Sequence, residues 1–164
     1  MRSIRIGEGW DVHRFTENRP LILCGVKFPH YPMGLLGHSD ADAPLHALMD
    51  ALLGALALGD IGAFFPDTDP KYKNADSCEL LKEILAHEAF SSWEIGNLDM
   101  TITTEKPKLR PCIDTMRERL SQLLHTDMEN ISIKGKTNEK LGYVGRGEAL
   151  EARVVVLLFR KEEK

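Results

Sequence analysis

The stretch from Gly37 to Pro66, GHSDADAPLHALMDALLGALALGDIGAFFP, constrains the fold more than any other part of the chain. Leu45, Leu48, Met49, Leu52, Leu53 and Leu56 recur at helical spacing, so an amphipathic helix must lay one face on a core. His46 lies among them near the first turn, and no ordinary core helix needs so many titratable groups around its start. Ser39, Asp40 and Asp42 are all good N-cap residues, Ser39-x-x-Asp42 resembles a capping box, and Pro44 is tolerated only in a first turn. Local sequence leaves open which of the three caps. Helical side chains lean toward the N-terminus, which directs His46 toward the loop of His38 and Ser39. The same lean lays Asp50, one turn later, over His46, as a carboxylate orienting a metal-binding imidazole would lie.

With 164 residues, 43% of them hydrophobic, the chain can bury one sizeable core, and a single domain over residues 1–164 is expected. A formal net charge of −4 provides no basic field for nucleic acid, so any phosphate must be met by local donors or metal ions. Cys24, Cys78 and Cys112 are odd in number and never form a C-x-x-C pair, which fits reduced, packing thiols in a cytoplasmic protein. The N-terminus MRSIRIGEGWDV has no apolar signal core, and no apolar run approaches the roughly eighteen residues that span a bilayer, so no membrane partner is expected.

The remaining pattern alternates strands and helices. Ile4 and Ile6 lead a strand into Asp11-Val12-His13, and a period of two puts Asp11 and His13 on one face. Leu21 to Phe28 reads as a strand or hairpin with Gly25 near its turn. Asp76 or Ser77 caps a helix running to about Phe90, with Leu80, Leu81, Ile84 and Leu85 inward. A strand through Leu98, Met100 and Ile102 ends at Thr103, and a helix follows from about Pro111 to His125. Ile131 and Ile133 mark another strand, and Ala149 to Phe159 the last. This order predicts an α/β or α+β sandwich with helices on one side of a sheet. The run Val154 to Phe159 is apolar at six consecutive positions, so the spacing predicts cover on both faces, one layer coming from a partner subunit.

Four clusters carry chemistry. Asp11, His13 and His46 form a three-ligand set suited to Zn²⁺ with a fourth position open, the alternative being a surface acid beside a packed histidine. His38-Ser39, before a helix N-terminus, suits an anion such as phosphate, or Ser39 merely caps. Lys134-Gly135-Lys136-Thr137-Asn138-Glu139, at a strand end, suits a diphosphate with a hard divalent ion, or forms a solvated charged face. Lys106-Pro107-Lys108-Leu109-Arg110 is a nucleotide pocket or a patch at a helix start.

Three segments together resemble the 2-C-methyl-D-erythritol 2,4-cyclodiphosphate synthase family of the non-mevalonate isoprenoid pathway: IGEGWDVH from Ile6 to His13, Gly37 through Asp69, and KTNEKLGYVGRGE from Lys136 to Glu148. The resemblance implies an α+β single-domain sandwich, a mixed β-sheet covered by helices on one face, assembling as a homotrimer around a threefold axis. It further implies that Asp11, His13 and His46 hold zinc, and that Asp11, His13, His38 and Ser39 meet the phosphate-bearing region of the substrate. Asp60, Ile61, Gly62, Phe65, Pro66, Asp67, Thr68 and Asp69 would hold the methylerythritol part. Thr104, Glu105, Lys106, Pro107, Lys108, Leu109 and Arg110 would form the cytidine pocket. Lys136, Thr137, Asn138 and Glu139 would meet the diphosphate, with Glu139 on Mg²⁺ or Mn²⁺. Tyr143 and Arg146 match further substrate-side positions, and His38 and Thr137 match positions that stabilise the transition state. The chain departs from the family pattern at Trp10, Thr104, Arg110 and Lys136. The implied reaction closes a cyclic diphosphate from a cytidyl diphosphate substrate and expels CMP. Its rivals are a zinc-dependent phosphohydrolase and a non-catalytic metal or isoprenoid-diphosphate binder.

Overall fold

A computed structural model describes residues 2–162. Among the described residues seven strands are formed: β1 (Ile4–Thr16), β2 (Ile22–Leu23), β3 (Val26–Lys27), β4 (Gly34–Leu35), β5 (Trp93–Thr103), β6 (Ile131–Lys136) and β7 (Ala149–Arg160). Five helices accompany them: α1 (Ala43–Ala55), α2 (Ile61–Phe64), α3 (Ser77–Leu85), α4 (Ile113–Leu124) and α5 (Gly142–Gly145). The main sheet has the order β4-β1-β7-β5-β6. It is mixed, because β5 and β6 run parallel while β1, β7 and β5 pair antiparallel. The α+β class and the single mixed sheet therefore agree with the expectation, and β2 and β3 form the anticipated small hairpin. Cys24 and Gly25 turn that hairpin with φ of +54° and +72°, the paired left-handed conformation that suits a tight hairpin turn.

The helices cover one face: α1 packs on β1 and β7, α4 on β6, and α3 against both α1 and α4. Glycine makes the α1 contact possible. A Cβ at Gly7 would lie 1.8 Å from the Ala51 carbonyl oxygen, and one at Gly9 only 2.0 Å from that of Ala47. The α1 backbone thus rests directly on β1, and Leu45, Leu48, Met49, Leu52 and Leu53 are buried against Met100, Ile102, Val154 and Val156.

Among the three candidate caps of α1, Asp42 is the one, accepting the Leu45 N–H. Its carboxylate also accepts N–H bonds from Cys24 at 2.9 Å and Gly25 at 2.6 Å, tying the hairpin to the helix start. Burial pushes its pKa up to about 7 against the pull of those donors. Asp76, rather than Ser77, caps α3. That helix stops at Leu85, short of Phe90, because His87 takes an extended backbone and its ring accepts the Ala89 N–H, restarting the chain as a 3₁₀ turn over Glu88–Phe90. The residues Arg110–Cys112 likewise form a 3₁₀ turn before α4, and His125 ends α4 at a left-handed φ of +51°.

Within this chain β7 is covered on one face only: Val154, Val156 and Leu158 are buried, whereas Val155 is 45% exposed. It shares the outer face with Ile4, Ile6 and Trp10, which are 56%, 66% and 43% exposed. The apolar run extends over both faces, but the three longer helices, α1, α3 and α4, lie on one. Among the described residues no helix is long and apolar enough to cross a membrane.

Candidate functional site

Residues 7, 9, 11 and 13 of β1 follow one another on the helix-facing side, so the two glycines that admit α1 are succeeded by Asp11 and His13. His46, one turn into α1, lies over them. Asp11 Oδ2 is 3.0 Å from both His13 Nε2 and His46 Nδ1, and those two nitrogens are 3.1 Å apart. The His13 Nδ1 donates to the Leu36 carbonyl at 2.7 Å, which leaves the Nε2 of the neutral ring with a lone pair turned into the cluster. Three donor atoms, one oxygen and two nitrogens, converge within 4.8 Å. Such a set repels itself when all three present lone pairs and fits a divalent cation of the zinc type.

The electrostatics agree. Burial works to raise the Asp11 pKa, but His13 and His46, whose ring nitrogens stand 3.0 Å from Oδ2, outweigh it and hold the carboxyl well below the usual range. For His13, burial works to lower the pKa, and the Asp11 carboxylate overcomes it, leaving the imidazole raised.

The expected role of Asp50 is corrected. Its Oδ1 accepts the Ile61 N–H at 2.8 Å, so it anchors the start of α2. The outer nitrogen of His46, Nε2, faces Ser39 Oγ at 3.1 Å and Ser77 Oγ at 3.0 Å instead. Sequence reasoning treated Ser77 only as a cap and passed over Arg19. The Arg19 guanidinium clamps the loop before α1, donating to the Gly37 carbonyl at 2.8 Å and to that of Ser39. A lone arginine in a polar loop carries no local signal of that reach.

Beside the triad opens a cavity of about 440 Å³. His13, His38, Ser39 and His46 form its polar wall, and Ile61, Gly62, Phe65, Pro66 and Asp67 part of the rest. The His38 ring also meets the Asp69 carbonyl at 3.3 Å. Asp60 and Asp69 lie outside the lining, Asp60 capping α2 and Asp69 a 3₁₀ turn, and Thr68 is exposed between them.

A second cavity, of about 360 Å³, is lined by Thr104, Pro107, Lys108, Leu109, Arg110, Lys136 and Thr137 over apolar Ile113 and Ile133. Glu105 and Lys106 turn away from it. Glu105 Oε1 accepts the N–H of Asn138 at 3.0 Å and of Lys140 at 3.2 Å, bracketing Glu139 and Lys140, whose φ values are +49° and +62°. Thr137 Oγ1 donates to Glu139 Oε1 at 2.6 Å. Tyr143 donates to Glu151 at 2.9 Å, and Arg146 pairs with Glu148 at 2.6 Å. The two cavities share no lining residue. Both sit at the same end of the sheet, since Val12, Glu151, Thr103 and Lys136 are in register across it. From β1 to β6 is three strand spacings, roughly 14 Å.

The YgbB family model matches residues 4–159. A 2-C-methyl-D-erythritol 2,4-cyclodiphosphate synthase of Brachyspira hyodysenteriae is 57% identical over 155 residues, covering 94% of this chain and 98% of that one. One from Bacillus cytotoxicus is 54% identical over 157 residues, covering 96% and 99%. Among solved structures, the bifunctional IspDF of Campylobacter jejuni superposes with a TM-score of 0.93 at 42% identity; 99% of this chain matches, spanning 44% of that longer protein. The Plasmodium falciparum IspF CDP complex gives a TM-score of 0.85 at 34% identity, covering 99% of each chain.

Proposed function

Since the chain belongs to the YgbB family, the 2-C-methyl-D-erythritol 2,4-cyclodiphosphate synthases of isoprenoid biosynthesis, and is a cyclising lyase, we propose how its residues perform that reaction. The substrate is 4-diphosphocytidyl-2-C-methyl-D-erythritol 2-phosphate. An oxygen of its 2-phosphate attacks the β-phosphorus, the bond from that phosphorus to the α–β bridging oxygen breaks, and CMP leaves with that oxygen. The observation that carries this reading is the convergence of Asp11, His13 and His46 on one point beside a substrate-sized cavity.

The nucleophile is already an anion at neutral pH, so the chain needs no serine or cysteine nucleophile and no strong general base. It must align the two phosphates and neutralise charge. Asp11, His13 and His46 would hold Zn²⁺ and Glu139 Mg²⁺ or Mn²⁺, cations that when bound offset the charge developing on the β- and α-phosphates. His38 and Ser39 hold the phosphate end at the polar wall, their loop kept in place by Arg19. Ile61, Phe65 and Pro66 offer apolar surface to the methylerythritol carbons, and Asp60, Gly62, Asp67, Thr68 and Asp69 shape the loop around it. The cytidine enters the cavity floored by Leu109, Ile113 and Ile133, where Lys108, Arg110 and Lys136 supply positive charge. The relative solved as a CDP complex favours a cytidine nucleotide there. Thr137 and His38 hydrogen-bond to charge that grows in the transition state, while Tyr143 and Arg146 stand on the substrate side.

The exposed outer face of the sheet, with Ile4, Ile6, Trp10 and Val155, supports a homotrimer packed around a threefold axis. In it the metal triad of one chain meets the nucleotide cavity and Glu139 of the next. The setting is the cytoplasm, without nucleic-acid or membrane partners. Turnover in ¹⁸O-water tests the chemistry, with CMP release and zinc content measured on the same sample. CMP appears and the product phosphorus acquires no label; ¹⁸O in the product phosphate would make the protein a hydrolase and overturn the reading.

A further inference from the structure

A neutral imidazole ligates a metal only through the nitrogen that carries no proton, so His46 must keep its proton on Nε2. Asp11 works against that. Its carboxylate lies 3.0 Å from His46 Nδ1 and, without a cation, attracts the proton to the very nitrogen that must be free. Something on the other side of the ring has to accept an N–H.

Two hydroxyls stand there, and they are not equivalent. Ser39 Oγ accepts the Ala41 N–H at 3.1 Å and keeps a rotatable proton, so it can face His46 as donor or as acceptor. Ser77 has no such freedom. Its O–H donates to Asp40 Oδ1 at 2.5 Å, and its own N–H donates to Asp40 Oδ2 at 3.1 Å. An ionised carboxylate is an acceptor only, so the single hydroxyl proton of Ser77 is committed to it. The oxygen that remains, 3.0 Å from His46 Nε2, presents a lone pair and accepts. Ser77 is fully buried, so water does not replace it.

We propose that Asp40 and Ser77 form a positioning relay that holds His46 as the Nε2–H tautomer and turns its Nδ1 lone pair onto the metal site. The inference rests on the reading of Asp11, His13 and His46 as metal ligands. It adds α3 to the machinery: Ser77 opens that helix, and its bond to Asp40 ties the start of α3 to the loop preceding α1. Neither residue lines the cavity beside the triad. Both act through the imidazole.

The test has two readouts on whole protein, neither of them activity. In the metal-free protein, ¹⁵N chemical shifts of the His46 ring report which nitrogen is protonated. In the zinc-loaded protein, competition with a chromophoric chelator reports affinity. The wild type shows protonated Nε2. Ser77→Ala shifts the ring toward Nδ1–H and weakens zinc binding by about 10–100-fold, the usual effect of losing a partner behind a metal-bound histidine. Asp40→Asn, which frees the hydroxyl proton while keeping side-chain shape, moves both readouts in the same direction. Asp50→Asn leaves both unchanged. Wild-type shifts and affinity in Ser77→Ala or in Asp40→Asn would overturn the relay. Failure of the wild type to bind zinc would overturn the metal reading instead, and the ring shifts of the metal-free protein would still decide the tautomer.

Discussion

The contact between α1 and β1 can be broken at one atom. In Gly9→Ala the new Cβ would sit 2.0 Å from the Ala47 carbonyl oxygen and 2.7 Å from the Ala51 nitrogen. Both neighbours are backbone, so no rotamer change relieves the clash. Ordinary contact starts at 3.4 Å, which leaves the helix about 1.4 Å too close. Overpacking of this kind costs about 1–3 kcal/mol, which at roughly 2–4 °C per kcal/mol for a chain of this size lowers Tm by about 2–12 °C. The helix that must retreat carries His46 next to Ala47. Metal ligation tolerates deviations of only about 0.2 Å, so a retreat of even half the deficit empties the site. The assay is thermal unfolding of the metal-free protein, with zinc stoichiometry measured after gel filtration. Gly54→Ala is the internal control on the same helix, because its Cβ would meet nothing nearer than the Glu8 carbonyl at 3.9 Å. It should be neutral or stabilise by about 0.5–1 kcal/mol through lost backbone entropy. Gly9→Ala protein with wild-type Tm and full zinc would refute the claim that glycine sets the ligand spacing.

Two further outcomes follow from the geometry. The depressed Asp11 pKa adds stability to the metal-free protein that is present above its ordinary value of 3.8 and lost as pH falls through the folded value, whereas the raised His13 pKa adds stability present below 6.5 and lost as pH rises through its folded value. Urea midpoints should therefore favour wild type over His13→Gln most between about pH 4 and 6.5, and a pH-independent difference would contradict the pairing. Glu105→Ala should speed amide hydrogen exchange at Asn138 and Lys140 and raise the Mn²⁺ concentration needed for half-maximal CMP release, while Glu105→Gln, which keeps an acceptor, changes both less; unaltered exchange in Glu105→Ala would remove Glu105 as the brace of that turn.

What the sequence by itself determined was periodic or local. The spacing of Leu45, Leu48, Leu52 and Leu53 shows an amphipathic helix, the period of two puts Asp11 and His13 on one face, and Pro44 marks a first turn, because each statement concerns residues a turn or less apart. Asp11 and His13 were legible as a pair for the same reason and His46 as a histidine early in that helix, while the packing of α1 on β1 brings the three together. Tertiary structure alone decided the rest. Asp42 won the cap over Ser39 and Asp40 because its carboxylate also meets the N–H groups of a hairpin formed by residues 22–27. Asp50 went to Ile61, and Ser77, 31 residues from His46, took the place behind the imidazole. The apolar β7 run is bare on one face because α1, α3 and α4 all lie on the other. Hydrogen-bond partners and covered faces depend on which distant segments meet. A local pattern fixes how a side chain leans but not what stands opposite it.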